Sequence, residues 1–137
     1  MIVSKETGLG WTTLSVDDSS GSVQDIRNDV TNFNFSTPRA VQDVTGIDKS
    51  AIERLLLLAD FSTTLNGVFN DAAGKSHAVL KTVSSTSVAR TMSIAISGQT
   101  LANEVLFTDY QLTRAQDGSL VWTAPGSLAD GTVPAWS

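Results

Sequence analysis

Cysteine is absent from the 137 residues, which excludes disulfides, thiol nucleophiles and thiolate metal sites. Histidine occurs once, as His77, and its neighbour Ser76 lies outside any nucleophile-elbow motif. The acidic pair Asp17-Asp18 ends a predicted strand, where adjacent side chains point to opposite faces, a poor geometry for a shared metal or for general acid–base catalysis. The sequence therefore predicts no catalytic, cofactor-binding or metal-binding residues, and a protein that is not an enzyme.

Basic charge is also scarce, with 9 Lys and Arg against 14 Asp and Glu, a net charge of −5. A protein that grips nucleic acid needs a basic excess to neutralise phosphates, so tight binding of DNA or RNA is not expected. Long apolar runs are missing as well. The longest block, "LLLLA" at 55–59, is far shorter than the roughly 20 residues of a membrane helix. The opening "MIVSKETGLGW" has no apolar signal core, which predicts synthesis in the cytoplasm without membrane insertion.

One short stretch imitates a phosphate-binding loop. Gly74-Lys75-Ser76 matches the end of G-x-x-x-x-G-K-[ST], whose two glycines let backbone N–H groups wrap the phosphates. The first glycine of that motif would be residue 69, which is Phe69, and the nearest glycine, Gly67, comes two residues too early. The spacing therefore argues against a nucleotide site and favours a polar turn.

Most of the chain alternates apolar and polar residues with the period of a β-strand. Asp117-Gly118 adds a strong turn signal between two such runs. The predicted strands cover 11–18, 30–36, 60–69, 87–97, 103–114 and 119–124. Without βαβ alternation, they predict a mainly β chain of one domain, 1–137, folded as an antiparallel β-sandwich or barrel.

Two helices are predicted beside the sheet. Asp48 or Ser50 can serve as the N-cap of the first, and Ser50 and Glu53 fit a capping box. The buried stripe, with i, i+3, i+4, i+7 spacing, consists of Ile52, Leu55, Leu56 and Ala59. This predicts one flanking helix over 50–59. A second, short helix is predicted over 72–83, capped by Asn70 or Asp71, with Val79, Leu80 and Val83 on its apolar face.

Three tryptophans leave a second function open. Trp122 lies in a predicted strand and fits either the core or a contact surface, while Trp136 ends the extended tail "SLADGTVPAWS". Together with Trp11, they are compatible with a non-enzymatic β-sandwich that binds carbohydrate or protein.

Residues 39–81 carry a resemblance to a known family, through Asp43-Val44-Thr45, then Ser50-Ala51, Glu53-Arg54-Leu55 and Leu58-Ala59-Asp60, and the strand ending 65–70. The run from "SGQTLANEVLF" to "GTVPAW" contributes as well. The chain resembles the major tail (tail tube) proteins of long-tailed, siphovirus-type bacteriophages, in pattern and order over most of its length after residue 30.

The resemblance implies a structural virion protein without a cofactor. Its copies would form hexameric rings, in which strands of six copies close one barrel, and the rings would stack into a hollow tube that conducts DNA into the host. Its partners would be itself, the tape-measure protein, and the tail terminator and tail-tip proteins. A tube subunit of a phage-derived injection machine is the further alternative.

Combining this resemblance with the strand alternation assigns candidate residues to each surface. The polar faces at 30–36 and 60–69 would line the lumen, where an acidic wall would repel the DNA backbone; the candidates are Asn32, Asn34, Asp60, Ser62, Thr64 and Asn66. The N-terminal arm, the loop 17–29 and the tail 127–137 would contact other subunits and become ordered only on assembly; the candidates are Trp11, Asp25, Arg27, Pro134 and Trp136.

Overall fold

The computed structural model describes residues 5–137, and these residues fold mainly as antiparallel β-strands. In chain order the elements are β1 Thr13–Asp17, β2 Val23–Asp25, β3 Val30–Ser36, β4 Arg39–Asp43, β5 Arg54–Ala59, β6 Ser62–Val68, α1 Ser76–Leu80, β7 Arg90–Ile96, β8 Gln99–Phe107, β9 Gln111–Arg114 and β10 Leu120–Leu128. The predicted fold class, mainly antiparallel β with a short helix beside the sheet, is confirmed.

One large sheet forms the body, in the order β2-β1-β7-β8-β10-β6-β3, and β9 pairs with β10 beyond the end of β8. The sheet curls round an apolar core in which side chains from alternate positions of its strands are buried, among them Val16, Leu65, Ile94 and Val105. Among the described residues β2 and β3, the two ends of the strand order, each pair with one neighbour only. The sheet is therefore a barrel that stays open between β2 and β3.

The short helix α1 packs against this core through Val79 and Leu80, both fully buried, so the predicted second helix is confirmed in a shorter form. Arg90 links it to the sheet: one of its guanidinium nitrogens donates to the backbone oxygens of Val79 and Asp17, at 2.6 and 3.1 Å. Burial lowers the pKa of Arg90 below its usual value. The cation satisfies backbone acceptors at the end of the barrel.

A second polar link is made by Asp29, which is only 2% exposed. Its carboxylate accepts hydrogen bonds from the side-chain amide of Asn70 at 2.9 Å and from the backbone N–H of Ser76 at 3.0 Å. Its own backbone oxygen accepts the N–H of Val68 at 2.9 Å. One residue thus joins the start of β3, the end of β6 and the start of α1.

The helix predicted over 50–59 is wrong. Residues 54–59 form strand β5, which pairs with β4 in a separate two-stranded sheet. Four consecutive leucines satisfy the helical spacing and the strand spacing equally, because every position in the run is apolar. The side chains of Leu55 to Leu58 are exposed, so no buried stripe exists to stabilise a helix there.

The loop predicted over 17–29 is also more ordered than expected. It contains β2, and Ile26 in it is fully buried. The carboxylate of Asp18 accepts the N–H groups of Ser20 and Ser22, both at 3.0 Å. The prediction that this segment becomes ordered only on assembly is therefore wrong, because contacts within the chain already hold it in place.

The tail predicted over 127–137 also docks on its own chain. The strand β10 extends to Leu128, and Ala129 donates to the backbone oxygen of Glu104 at 2.9 Å. At the very end Ser137 and Thr100 exchange two backbone hydrogen bonds, both 2.9 Å. For the N-terminal arm, residues 1–4 lie outside the described residues.

A substitution at Gly67 tests the packing around Asp29. A Cβ atom there would lie 2.1 Å from the backbone oxygen of Asp29 and 2.6 Å from the ring of Trp122. We expect Gly67→Ala to lower the free energy of unfolding by about 1–3 kcal/mol, because backbone and a buried ring would have to move. The matched control is Gly8→Ala, whose Cβ would come no closer than 3.8 Å to Trp11. Urea unfolding of the two variants measures the difference, and equal stabilities would contradict this account.

The Asp18 turn predicts a pH dependence of stability. Hydrogen bonds from Ser22 and Ser20 lower the pKa of Asp18 from 3.8 to about 2. Since the folded-state pKa lies below the unfolded-state value, the stabilisation is present above pH 3.8 and is lost as the pH falls toward 2. We expect Asp18→Asn to lower Tm at neutral pH, and to lose less Tm than the parent between these two pH values.

Thermal unfolding followed by circular dichroism measures the effect. Asp71→Asn is the control, because in the described structure no hydrogen bond reaches the exposed carboxylate of Asp71. If the Tm of Asp18→Asn changes with pH in parallel with that of the parent, the carboxylate of Asp18 does not stabilise the fold as proposed.

Candidate assembly surfaces

The most unusual surface of the protein is the hairpin formed by β4 and β5, residues 39–59, which we call the leucine hairpin. Leu56 is 63% exposed and Leu58 is 86% exposed, and the opposite face carries Leu55 at 53% and Leu57 at 41%. Val41, Val44, Ile47 and Ile52 extend this apolar surface toward the tip. Exposed apolar side chains gathered in one hairpin are typical of interaction sites.

The sequence explains why the hairpin stands apart from the barrel. It is inserted between β3 and β6, which are themselves a paired hairpin, so β4 and β5 continue that pair outward. Pro38 and Asp60 mark the junction, where the N–H of Asp60 donates to the oxygen of Pro38 at 2.9 Å. Strands that are buried on both faces usually have a continuous apolar sequence. Strand β5 has such a sequence, but both of its faces are exposed.

Five of the six candidate lumen residues come together on one face of the sheet. Asn32, Asn34, Ser62, Thr64 and Asn66 point away from the core on β3 and β6, as the alternation predicts, and Leu65 on the opposite face is buried. The strand register places Asn32 opposite Asn66, Asn34 opposite Thr64, and Ser36 opposite Ser62. We call this set of three pairs the polar face.

Hydrogen bonds connect the side chains of the polar face to one another. Asn66 donates to Asn32 at 2.9 Å and accepts from Thr123 of β10 at 2.8 Å, and the hydroxyls of Ser36 and Ser62 lie 2.9 Å apart. The sixth candidate, Asp60, lies outside these pairs at the junction with the leucine hairpin, where its carboxylate accepts the N–H of Phe61. The three pairs are uncharged, in contrast with the acidic wall expected from net charge.

The gap between β2 and β3 forms a cleft of about 820 Å³, which we call the seam cleft. Its apolar side consists of Trp11, Leu14, Val30, Phe33 and Phe35. The rings of Trp11 and Phe33 meet edge to face at 5.0 Å, and those of Phe33 and Phe35 stack at 6.1 Å. These aromatic side chains are only half-buried, because the barrel ends at β3 and no further strand covers them.

Two of the candidate contact residues, Asp25 and Arg27, form the charged rim of this cleft. Their side chains make a two-point ion pair, with N–O distances of 3.2 and 3.1 Å. Arg27 also donates to the backbone oxygens of Trp11 and Thr12, at 3.1 and 2.9 Å. The guanidinium therefore holds the Trp11 segment in place beside β3, and the structure brings these three candidates together.

The other two candidates, Pro134 and Trp136, lie in the docked tail. The ring of Trp136 packs 5.9 Å from that of Phe35, although the side chain remains 47% exposed. Pro134 is half-buried. The tail thus extends the aromatic row of β3 beyond the seam cleft.

Trp122 belongs to the core. It is 1% exposed, and its indole N–H donates to the backbone oxygen of Val68 at 2.8 Å. A contact role for Trp122 in carbohydrate binding is therefore wrong. His77 packs between the rings of Phe69 and Tyr110, with its Nδ1 atom 3.2 Å from the Tyr110 hydroxyl.

Within residues 5–137, no three histidine or acidic side chains gather into a possible metal site. Over the same range, no helix has the length and apolar character to cross a membrane.

No protein-family model and no curated protein sequence matches the chain. Solved structures do share its fold. A chain from the virion of a native gene transfer agent particle superposes with a TM-score of 0.74 at 15% identity, over 97% of this chain and 99% of its own length. A chain from the tail of the empty gene transfer agent particle, refined with helical and C6 symmetry, superposes with a TM-score of 0.71 at 19% identity, over 97% and 98%. The likeness is one of fold and covers almost the whole of each chain.

The leucine hairpin, in which four consecutive leucines are exposed, was not predicted from the sequence. The available signal was the flanking sequence: Pro38 follows one strand, and Thr45-Gly46 lies where the hairpin turns. Those residues favour a β-hairpin over a helix that starts at Ser50.

Proposed function

We propose that the chain is the structural subunit of a phage-like tail tube. Copies of it form hexameric rings, the rings stack, and DNA passes through the channel into the host. The observation that carries the proposal is the leucine hairpin, since four leucines in contact with water are explained if other copies cover them. The fold of the chain also resembles that of a chain from a tail refined with helical and C6 symmetry, and this likeness supports a ring of six copies.

The apolar surface of the leucine hairpin is not large enough to drive assembly by itself. Full burial of one leucine side chain contributes about 1.5–3 kcal/mol, so four partly exposed leucines contribute roughly 5 kcal/mol. Fixing one protein on another costs about 4–15 kcal/mol. The hairpin alone therefore offsets the cost only at the low end of this range, and association is expected to need further contacts. The strand edges of the open barrel and the segment around Trp11, Asp25 and Arg27 are the candidates for them.

In this arrangement the polar face lines the channel. Neutral amide and hydroxyl groups offer no charge that would hold a phosphate backbone, so DNA passes without specific binding. The tape-measure protein would fill the same channel before ejection, and the terminator and tip proteins would close its two ends. The protein is then a component of the virion, made in the cytoplasm of the host, with no enzymatic activity. A tube of a phage-derived injection machine would use the same surfaces.

The first test replaces Leu56 and Leu58 with aspartate. We expect the unassembled variant to keep its free energy of unfolding within about 0.5 kcal/mol, because both side chains are exposed. We expect it to lose the tubes that the parent forms, measured by negative-stain electron microscopy. Val88→Asp, an exposed residue in the segment before β7, is the control and should still assemble. Tubes of normal length from the double variant would contradict the proposal.

The second test locates the polar face and uses the absence of cysteine. Ser62→Cys introduces a single thiol on that face. In assembled tubes we expect it to react with a small maleimide but not with a maleimide attached to a protein wider than the channel. The unassembled variant is the control and should react with both reagents. Equal labelling by the wide reagent in tubes and in unassembled protein would place Ser62 on the outside.

A further inference from the structure

We infer that the seam cleft is the binding site for strand β5 of a second copy, which adds to the free edge of β3 and lays its leucines on Phe33 and Phe35. The inference rests on the proposed function, and it names the two surfaces that meet. One surface is the cleft of about 820 Å³, and the other is the all-leucine strand 54–59.

The cleft is the space that one further strand of the barrel would fill. It lies between the two unpaired ends of one sheet, β2 and β3, where a continuous barrel would have further pairing. Its lining is apolar at Phe33 and Phe35, which point inward but are only half covered, and it is charged at Asp25, Arg27 and Lys75. An exposed strand edge above an uncovered apolar floor is completed by an extended segment, whose backbone pairs with the edge and whose alternate side chains fill the floor.

Strand β5 has the matching properties. Among the described residues it pairs with β4 along one edge, so its other edge is free. Its leucines point to both faces, which suits a strand that is covered on both sides. When one face of β5 lies on the aromatic row of the cleft, the other face remains available for a further neighbour.

The β5 of the same copy cannot reach this site. It leads through Asp60 and Phe61 directly into β6, and β6 pairs with β3 on one edge and with β10 on the other. The free edge of β3 is on the side away from β6. A complementary strand and cleft on different parts of one molecule give a heterologous contact, which closes into a ring or continues as a filament. Either outcome is a polymer of this chain.

Disulfide trapping between two differently tagged single-cysteine proteins tests the pairing. One protein carries Asn34→Cys on β3, and the other carries a cysteine at one of the four positions 55–58 in turn. A disulfide requires Cβ atoms about 3.5–4.5 Å apart. In a paired strand this condition is met at one position, or at two positions two residues apart, and not at neighbouring positions. Each protein has one thiol, so every heterodimer is intermolecular.

We expect a mixed disulfide with this period-two pattern under assembly conditions. The control pairs the same hairpin cysteines with Ser119→Cys, at the exposed β9–β10 turn, and should give no mixed disulfide above background. Hydrogen exchange gives an independent measure: backbone N–H groups of 30–36 and 54–59 should become protected together on assembly.

The outcomes separate this inference from the proposed function. If tubes form but no position of the hairpin gives more mixed disulfide than the Ser119→Cys control, the pairing is overturned and the tube proposal stands. If the period-two pattern appears without tubes, the pairing stands and the tube proposal fails. A saturable oligosaccharide that binds the cleft in assembled tubes, measured by loss of Trp11 fluorescence, would also overturn the pairing.

Discussion

Contact between four consecutive leucines and water is the constraint on which the rest of this molecule depends. The isolated chain folds round a core that includes none of them, and its stability gains little from β5. An apolar strand with a free edge is a hazard unless a specific partner covers it, because it will pair with any available edge. The open barrel supplies such an edge within the same sequence. In the pairing that we infer, the exposure of β5 and the incompleteness of the barrel are two halves of one requirement, which several copies together would meet.

The buried carboxylate of Asp29 makes this arrangement rigid. It fixes the start of β3 against the end of β6, at the opposite end of that strand pair from the leucine hairpin. Gly67 allows this close approach because a side chain there would overlap the Asp29 backbone. Between this contact and the polar face the register of β3 on β6 shifts once, between Val30 and Asn32. A structural contact in the core thus fixes one end of the strand pair whose other end carries the leucine hairpin.

Alternation predicted the strands whose two faces have different environments. Leu65 and Thr64 in β6, or Ile94 and Ser93 in β7, differ in burial as the period of two requires, because one face meets the core and the other meets solvent. Alternation gave the wrong prediction at β5. Both faces of this strand carry leucines, so the sequence favours neither the helical nor the strand period, and the capping pattern at Ser50 suggested a helix. The burial of Asp29, in the loop predicted over 17–29, was not predicted either, because the partners that bury it, Asn70 and Ser76, are more than 40 residues away. Long-range partners of this kind leave no local signal.

The acidic side chains do not lie on the polar face, where the net charge suggested an acidic wall. Many of the aspartates lie in turns, where their carboxylates accept N–H groups two residues ahead, as at Asp18, Asp43, Asp117 and Asp130. These carboxylates stabilise turns, while the polar face consists of paired amides and hydroxyls. Charges at the turns act over about 8 Å at physiological salt, so their repulsion is felt mainly at the ends of the strands. In the tube that we propose, a channel wall built from the polar face would neither attract a polyanion nor order it, and sliding of DNA would follow from neutral side chains that satisfy one another.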